Sequence, residues 1–221
     1  MNELFRVESL IKTYHNGQEL TKALNGVSLS LYPGDYLAIV GPSGAGKSTL
    51  LHTLGGLDCP TTGRVFFEGR DVYRMKDKEL SLWRSKNIGF VFQFYHLIEE
   101  LNILENVTLA LNLNKKKYSL KTIEKLLEYL GIADKMKVFP SQLSGGQRQR
   151  AAFARALINE PNVILCDEPT GNLDKNSQEK IIALLDKLNK EKNITVVLVT
   201  HNLEIAKCAK RIMFIEDGGV K

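Results

Sequence analysis

The chain has 221 residues, 43% of them hydrophobic and 25% charged, which suits one large globular domain with room for an inserted subdomain. Lys and Arg exceed Asp and Glu by 30 to 25, an excess that fits a polyanionic ligand or an anionic membrane face and makes no case for DNA or RNA. Cys59, Cys166 and Cys208 have neither C-x-x-C spacing nor a nearby histidine pair, which argues against a zinc site or a disulfide framework and for a reducing compartment.

Met1 leads straight into an alternating segment, with no basic-then-apolar signal sequence. No apolar run approaches the ~18–20 residues of a bilayer span, so a cytosolic chain without direct membrane insertion is expected. Leu4 to Leu10 alternates as an edge strand does, and Val27-Ser28-Leu29-Ser30-Leu31 as a half-buried strand. Between them, Lys12-Thr13-Tyr14-His15-Asn16-Gly17 reads as a loop carrying an aromatic residue. Pro33-Gly34-Asp35 turns the chain into an apolar strand, Tyr36 to Val40. Gly41-Pro42-Ser43-Gly44-Ala45-Gly46-Lys47-Ser48 follows, and Thr49 to Leu54 begins a helix. Pro60 to Gly63 is a further turn and Arg64 to Gly69 a short strand. The early region is thus β-rich and mainly antiparallel, wrapped around the strand at 36–40. Asn87 to Phe92 is a β-favouring run ending at Gln93.

From about Leu101 to Asn159 the period becomes helical. Helices are expected over Leu104 to Leu113 and Leu120 to Leu130, the second closed by Gly131, with Lys115-Lys116-Lys117 a solvated loop between them. Ser144 opens a third helix with Gln147 completing a capping box; it runs to Asn159 and Pro161 marks its end. Buried strands return at Val163 to Cys166 and Ile194 to Val199. An amphipathic helix with Ile181, Leu184, Leu185 and Leu188 on one face lies between them, the crossover of a parallel β-α-β unit.

The stretch from 41 to 48 has the form of a phosphate-binding P-loop: a buried strand, a glycine-rich loop and a helix. Its glycines let backbone N–H groups approach an anion, and the helix points its positive end at the same place. Gly41, Pro42, Ser43, Gly44, Ala45, Gly46, Lys47, Ser48 and Thr49 are the expected cradle, with Lys47 charging the terminal phosphates and Ser48 placed to ligate Mg²⁺.

Four apolar runs end in residues useful for nucleotide hydrolysis: Gly41, Gln93, Asp167-Glu168 and Thr200-His201. In a doubly wound parallel sheet the ligand lies beyond the carboxyl ends of the strands, so these are expected around one site. Asp167 reads as the carboxylate that holds Mg²⁺, and Glu168 as the general base or the residue orienting the attacking water. Gln93 is a candidate Mg²⁺ and water ligand and His201 a γ-phosphate contact.

A second glycine-rich helix start, Leu143-Ser144-Gly145-Gly146-Gln147, carries no lysine. With it the chain resembles the ATP-binding cassette family along essentially its whole length. The family's motifs occur in order: Walker A at 41–48, the Q-loop Gln93, this signature, Walker B at 163–168, the D-loop Gly171-Asn172-Leu173-Asp174 and the switch His201.

The resemblance implies an α/β P-loop ATPase, one ATP-binding domain over 1–221. A RecA-like core with an antiparallel β subdomain would span 1–94 and 161–221, and an inserted α-helical subdomain 95–160. It implies a head-to-tail homodimer in which each ATP lies between one chain's P-loop and the partner's Ser144, Gly145, Gly146 and Gln147. Tyr14 would stack on adenine and Asp174 would lie at the seam. Two integral-membrane permease subunits would dock near the Q-loop, placing the dimer on the inner face of the cell membrane. Nucleic acid is not an expected partner.

Leu54-Gly55-Gly56-Leu57-Asp58, Gly89 to Ile98, Leu104-Glu105-Asn106-Val107 and Asp167 to Asp174 are similar to the branch of lipoprotein-releasing ATPases, macrolide and antimicrobial-peptide exporters and a division-site signalling ATPase. Gln93-Phe94-Tyr95-His96-Leu97 is nearest the lipoprotein-releasing type. A macrolide or peptide exporter and a membrane signalling ATPase controlling cell-wall hydrolysis remain as alternatives. A cassette acting on ribosomes or DNA is disfavoured, since such proteins carry paired cassettes or a long coiled coil. The chain departs from the branch at Asn202, where Asp is usual, which puts the local positioning of the switch in question. Beyond Glu216-Asp217-Gly218-Gly219 no appended regulatory or membrane domain is expected.

Overall fold

The computed structural model describes residues 2–17, 19–113 and 116–221. The chain runs through β1 (Phe5–Asn16), β2 (Glu19–Leu31), β3 (Tyr36–Val40), α1 (Lys47–Leu54), β4 (Thr62–Phe67), β5 (Arg70–Asp71), α2 (Asp77–Asn87) and β6 (Ile88–Phe92). It continues with α3 (Ile103–Leu113), α4 (Leu120–Tyr129), α5 (Gly145–Leu157), β7 (Val163–Asp167), α6 (Lys175–Lys192), β8 (Thr195–Val199), α7 (Leu203–Ala206), β9 (Arg211–Glu216) and β10 (Gly219–Val220).

Two sheets divide the strands. The first has the order β2-β1-β4-β5 and is antiparallel. The segment from 12 to 16, expected as a loop, is instead the far half of β1, paired with β2. Nor is β1 an edge strand, because β2 and β4 flank it. The second sheet has the order β10-β9-β3-β8-β7-β6, all parallel except β10. β3 belongs to this second sheet, and the antiparallel strands cover it rather than pair with it. Lys115 lies outside the described residues, while Lys116 and Lys117 are exposed.

The parallel strands read as continuous apolar runs because helices or the first sheet cover both their faces. Their side chains alternate between two cores, as the pleat requires. Leu165, Val197 and Val199 join Phe5, Leu10, Leu31, Leu50 and Leu54 beneath the antiparallel sheet and α1. Ile164, Cys166, Val196 and Leu198 face the other way, against Phe153, Ile181, Leu185 and Leu188 of α5 and α6. The carboxyl ends of β3, β6, β7 and β8 therefore open on one rim.

α4 ends where Gly131, at φ 67°, lets its N–H and that of Ile132 return to Glu128 and Leu127 carbonyls at 2.9 Å each. α5 stops at Leu157, two residues short of Asn159.

Candidate functional site

The loop after β3 needs its glycines for space as well as for conformation. Gly46 sits at φ 98°, and a Cβ there would lie 2.0 Å from the Ala23 carbonyl oxygen. The neighbouring strand thus presses the loop into a tight turn over the N-terminus of α1. Lys47, on the first turn of α1, is almost fully buried and donates to the carbonyls of Gly41 at 2.9 Å and Pro42 at 2.7 Å. Its ammonium is thereby held over the loop, with the α1 N–H groups beneath it. Pro42, Ser43, Gly44 and Ser48 are exposed, Gly41, Gly46 and Thr49 half-buried, and Ala45 buried.

Asp167 is the last residue of β7, and Ser48 Oγ donates to its Oδ1 at 3.0 Å. Burial raises the Asp167 carboxyl above its ordinary range; the Ser48 hydroxyl and the charge on the His52 side, 3.9 Å away, pull the other way. A half-buried carboxylate short of compensation is a ready ligand for a cation. Ser48 and Asp167 offer two hard oxygens side by side, the donor type Mg²⁺ takes. Among the described residues no cluster of three or more His, Cys, Asp or Glu forms a site of protein ligands alone. One or two side chains together with substrate phosphates and waters is the usual Mg²⁺ arrangement, so the residues present fit that ion.

Glu168 follows at φ 48°, a left-handed conformation that is uncommon for a residue with a Cβ. It is held there by its N–H bond to Val199 O at 3.0 Å and by Gly171 N–H to its own carbonyl at 3.0 Å. The turn carries its carboxylate back to the end of β8. There Oε1 accepts from the His201 N–H at 2.9 Å and lies 2.8 Å from His201 Nδ1. Nδ1 being engaged, Nε2 is the ring nitrogen left for a ligand.

Gln93 follows β6, where its Nε2 donates to Asn172 Oδ1 at 3.2 Å and Asn172 Nδ2 donates to Gln93 O at 3.3 Å. α5 grips the same segment. Gln149 reaches Phe92 O, Arg155 bonds Tyr95 O at 2.8 Å and also His96 O, and Arg148 stacks over the Tyr95 ring. Tyr95 and His96 both lie at positive φ. Asn172, Gln149 and Arg155 as holders of this segment escape sequence reading, because their partners lie 57 to 79 residues away.

Ser144 caps α5 through a closed box: Gln147 N–H to Ser144 Oγ at 3.3 Å and Ser144 N–H to Gln147 Oε1 at 2.9 Å. Gly145 is half-buried and Gly146 buried against Ser177. Asp174 caps α6 by accepting from Ser177 N–H at 3.0 Å. Among the described residues no hydrogen bond or ion pair joins 144–147 or Asp174 to the 41–49 loop. Tyr14 stands on β1, partly exposed, with its hydroxyl donating to Asp58. The structure thus brings Ser48 to Asp167, Glu168 to His201 and Gln93 to Asn172, and sets the second glycine-rich helix start beside Tyr95 and Leu173, unbonded to the 41–49 loop among the described residues.

Asn202 caps α7, its Oδ1 accepting from Glu204 N–H at 2.9 Å and Ile205 N–H at 3.4 Å. No described helix is long and apolar enough to cross a membrane.

A family model described as ABC transporter matches residues 24–171. The lipoprotein-releasing system ATP-binding protein LolD of Pseudoalteromonas translucida is 45% identical over 99% of this chain and 95% of its own. An uncharacterized ABC transporter ATP-binding protein, YknY of Bacillus subtilis, is 43% identical over 98% and 95%. Among solved structures, a dimeric post-hydrolysis state of the ATP-binding cassette MJ0796 bound to ADP and Pi superposes with a TM-score of 0.90. It is 43% identical and covers 98% of this chain and 96% of that one.

Proposed function

The chain belongs to the ABC transporter family, and on that premise we propose how its ATP-hydrolysing cassette works and what it drives. It is an α/β P-loop ATPase, the ATP-binding subunit of a transporter. We propose that two copies meet head to tail, so that each ATP lies between the P-loop of one and Ser144, Gly145, Gly146 and Gln147 of the other.

The observation that carries this reading is the N-terminus of α5. It is a second glycine-rich helix start without a lysine, and among the described residues it makes no bond to its own P-loop. A helix start so placed is used when another molecule brings the phosphate. The dimeric structures of MJ0796, a related cassette, support assembly as a dimer.

Within each site Lys47 and the α1 N-terminus bind the terminal phosphates, and Gly41 to Thr49 wraps them. Ser48 and Asp167 would hold Mg²⁺, with Gln93 a further candidate ligand; the ion would supply neutralisation of the charge on the phosphates. Glu168 accepts a proton from the attacking water or orients it, while His201 fixes the Glu168 carboxylate and offers Nε2 to the γ-phosphate. Tyr14 stacks on adenine, and Asp174 stands at the dimer seam. Closure on ATP and reopening after hydrolysis would supply the stroke.

The permease would dock on the groove of about 390 Å³ between α2, β6 and the end of α5, lined by Leu57, Arg84, Phe90, Phe92 and Arg155. Phe94, 70% exposed just past Gln93, would meet the same partner. Residues 95–160 would form the helical subdomain that receives it, and the dimer would lie on the inner membrane face. Likeness to LolD proteins supports lipoprotein release or export as the work done.

Glu168→Gln expressed in the host, with membranes solubilised in ATP, tests this. A permease with a large extracytoplasmic domain should co-purify. A peptidoglycan hydrolase system in its place would turn the reading to signalling, and ribosomes or nucleic acid would refute it.

A further inference from the structure

Tyr14 does not stand alone on β1. Its hydroxyl donates to Asp58, and Thr49 of the P-loop helix lies within hydrogen-bonding reach of the same oxygen. Lys12, two residues earlier on the same strand face, bonds the other Asp58 oxygen and donates to Cys59 O at 2.6 Å. Its ammonium also lies 5.0 Å from the Tyr14 ring centroid. Asp58 is itself held: Tyr73 Oη lies 2.6 Å from Asp58 O and 2.7 Å from Thr53 O, its one proton shared between the two carbonyls. The Asp58 carboxyl is partly buried, which would raise its pKa, yet the bonds from Lys12 and Tyr14 leave it below the usual range. It is an anion spent on holding two side chains.

This cluster flanks α1: Asp58 and Cys59 follow the C-terminus of the helix, while the Tyr14 hydroxyl reaches back towards Thr49 on its first turn. A tyrosine ring free to rotate would present its face to a base only part of the time, and binding would carry the cost of ordering it. Here the hydroxyl is tied on one side and one ring face is covered by an ammonium. The opposite face is left in a fixed orientation.

We infer that Asp58 and Lys12 are positioning residues for base recognition, locking the Tyr14 ring so that its free face receives the purine of the nucleoside triphosphate. The inference rests on Tyr14 meeting the base, as proposed above. Among the described residues neither Asp58 nor Lys12 bonds the 41–49 loop, so their effect should be confined to ligands that carry a base.

The test uses titration calorimetry with two probes, MgATP and Mg-tripolyphosphate, on the full chain. Asp58→Ala and Tyr14→Phe should each weaken MgATP by about threefold to tenfold, the range into which one hydrogen bond's net worth converts. Both should leave tripolyphosphate unchanged. The double variant should be no weaker than either single one. Asp58→Asn, which keeps an acceptor for the phenol, should recover part of the loss. Steady-state rates on Asp58→Asn should show a raised KM with kcat held. Wild-type MgATP affinity in Asp58→Ala and Tyr14→Phe, or equal losses for both probes, would overturn the inference. Should Asp58→Ala fail to fold, Tyr14→Phe alone decides it. Tyr14→Ala separates the two layers: if it leaves MgATP unchanged, the base contact itself fails. If it weakens MgATP while Asp58→Ala and Tyr14→Phe do not, only the positioning role fails.

Discussion

Ser48 Oγ donates to Asp167 Oδ1 at 3.0 Å, although the two residues are 119 positions apart. The first turn of α1 and the end of β7 are thereby pinned together where Mg²⁺ and phosphate would enter. Ser48→Ala removes one hard oxygen and leaves the helix intact. Hydrolysis at limiting Mg²⁺ should fall by about tenfold or more, and the Mg²⁺ needed for half-maximal rate should rise. A magnesium titration of the rate checks this; an unchanged half-saturation point would remove Ser48 from the metal site.

Asp167 also carries a stability cost. Burial raises its pKa above the unfolded value of about 3.9. A carboxyl raised in the folded state favours that state fully below the unfolded pKa, and the contribution is lost as pH rises through the folded value. At pH 7 the ionised form is therefore a burden on the nucleotide-free protein. Asp167→Asn should raise the Tm of that protein at pH 7, with the gain shrinking as pH falls towards 4, while abolishing hydrolysis. A lower Tm at pH 7 would contradict this balance.

Gly145 is not held by its conformation. A Cβ there would lie 3.1 Å from Tyr95 Oη and 3.3 Å from Leu173 Cδ2, side-chain atoms that need give way by only a few tenths of an ångström. Gly145→Ala should therefore shift folding stability by less than about 1 kcal/mol. The same methyl would wedge the α5 N-terminus against Tyr95 and Leu173 and displace the N–H groups proposed to meet a partner's phosphate, so ATP turnover should fall at least tenfold. Thermal melts and steady-state rates on one preparation decide the matter, and full activity would mean that this helix start meets no phosphate.

Asn202 tests the opposite expectation. Its Oδ1 caps α7, a role Asp fills as well. Asn202→Asp should change ATP turnover by no more than about twofold, since capping strengths of the two are alike. A larger change, read from the same rate assay, would place residue 202 against the nucleotide.

Much of this was legible because the relevant signals are local. Gly41 to Ser48 follows an apolar run and opens a helix, and strands buried on both faces are unbroken apolar runs, such as Val163 to Cys166 and Val196 to Val199. The misreadings have physical causes. Lys12 to Asn16 is polar and hairpin-paired, so its strand character comes from β2 rather than from an apolar face. α2 has no fully buried residue and only Leu80 and Trp83 against the core, too short an apolar face to mark a period. β1 looks like an edge strand in sequence because alternation does not reveal which neighbours will flank it. Asp58, His52 and Asn172 matter through partners far along the chain, and no spacing rule reaches them.

The central claim is that one chain's α5 N-terminus completes the other chain's P-loop. The direct measurement is the molar mass of Glu168→Gln by sedimentation, with saturating MgATP, with MgADP and without nucleotide, alongside Glu168→Gln carrying Ser144→Arg. The account predicts a dimer with MgATP alone, and a single-chain mass under every condition once Ser144 is replaced. A single-chain mass for Glu168→Gln in saturating MgATP, or a dimer indifferent to Ser144→Arg, would contradict it.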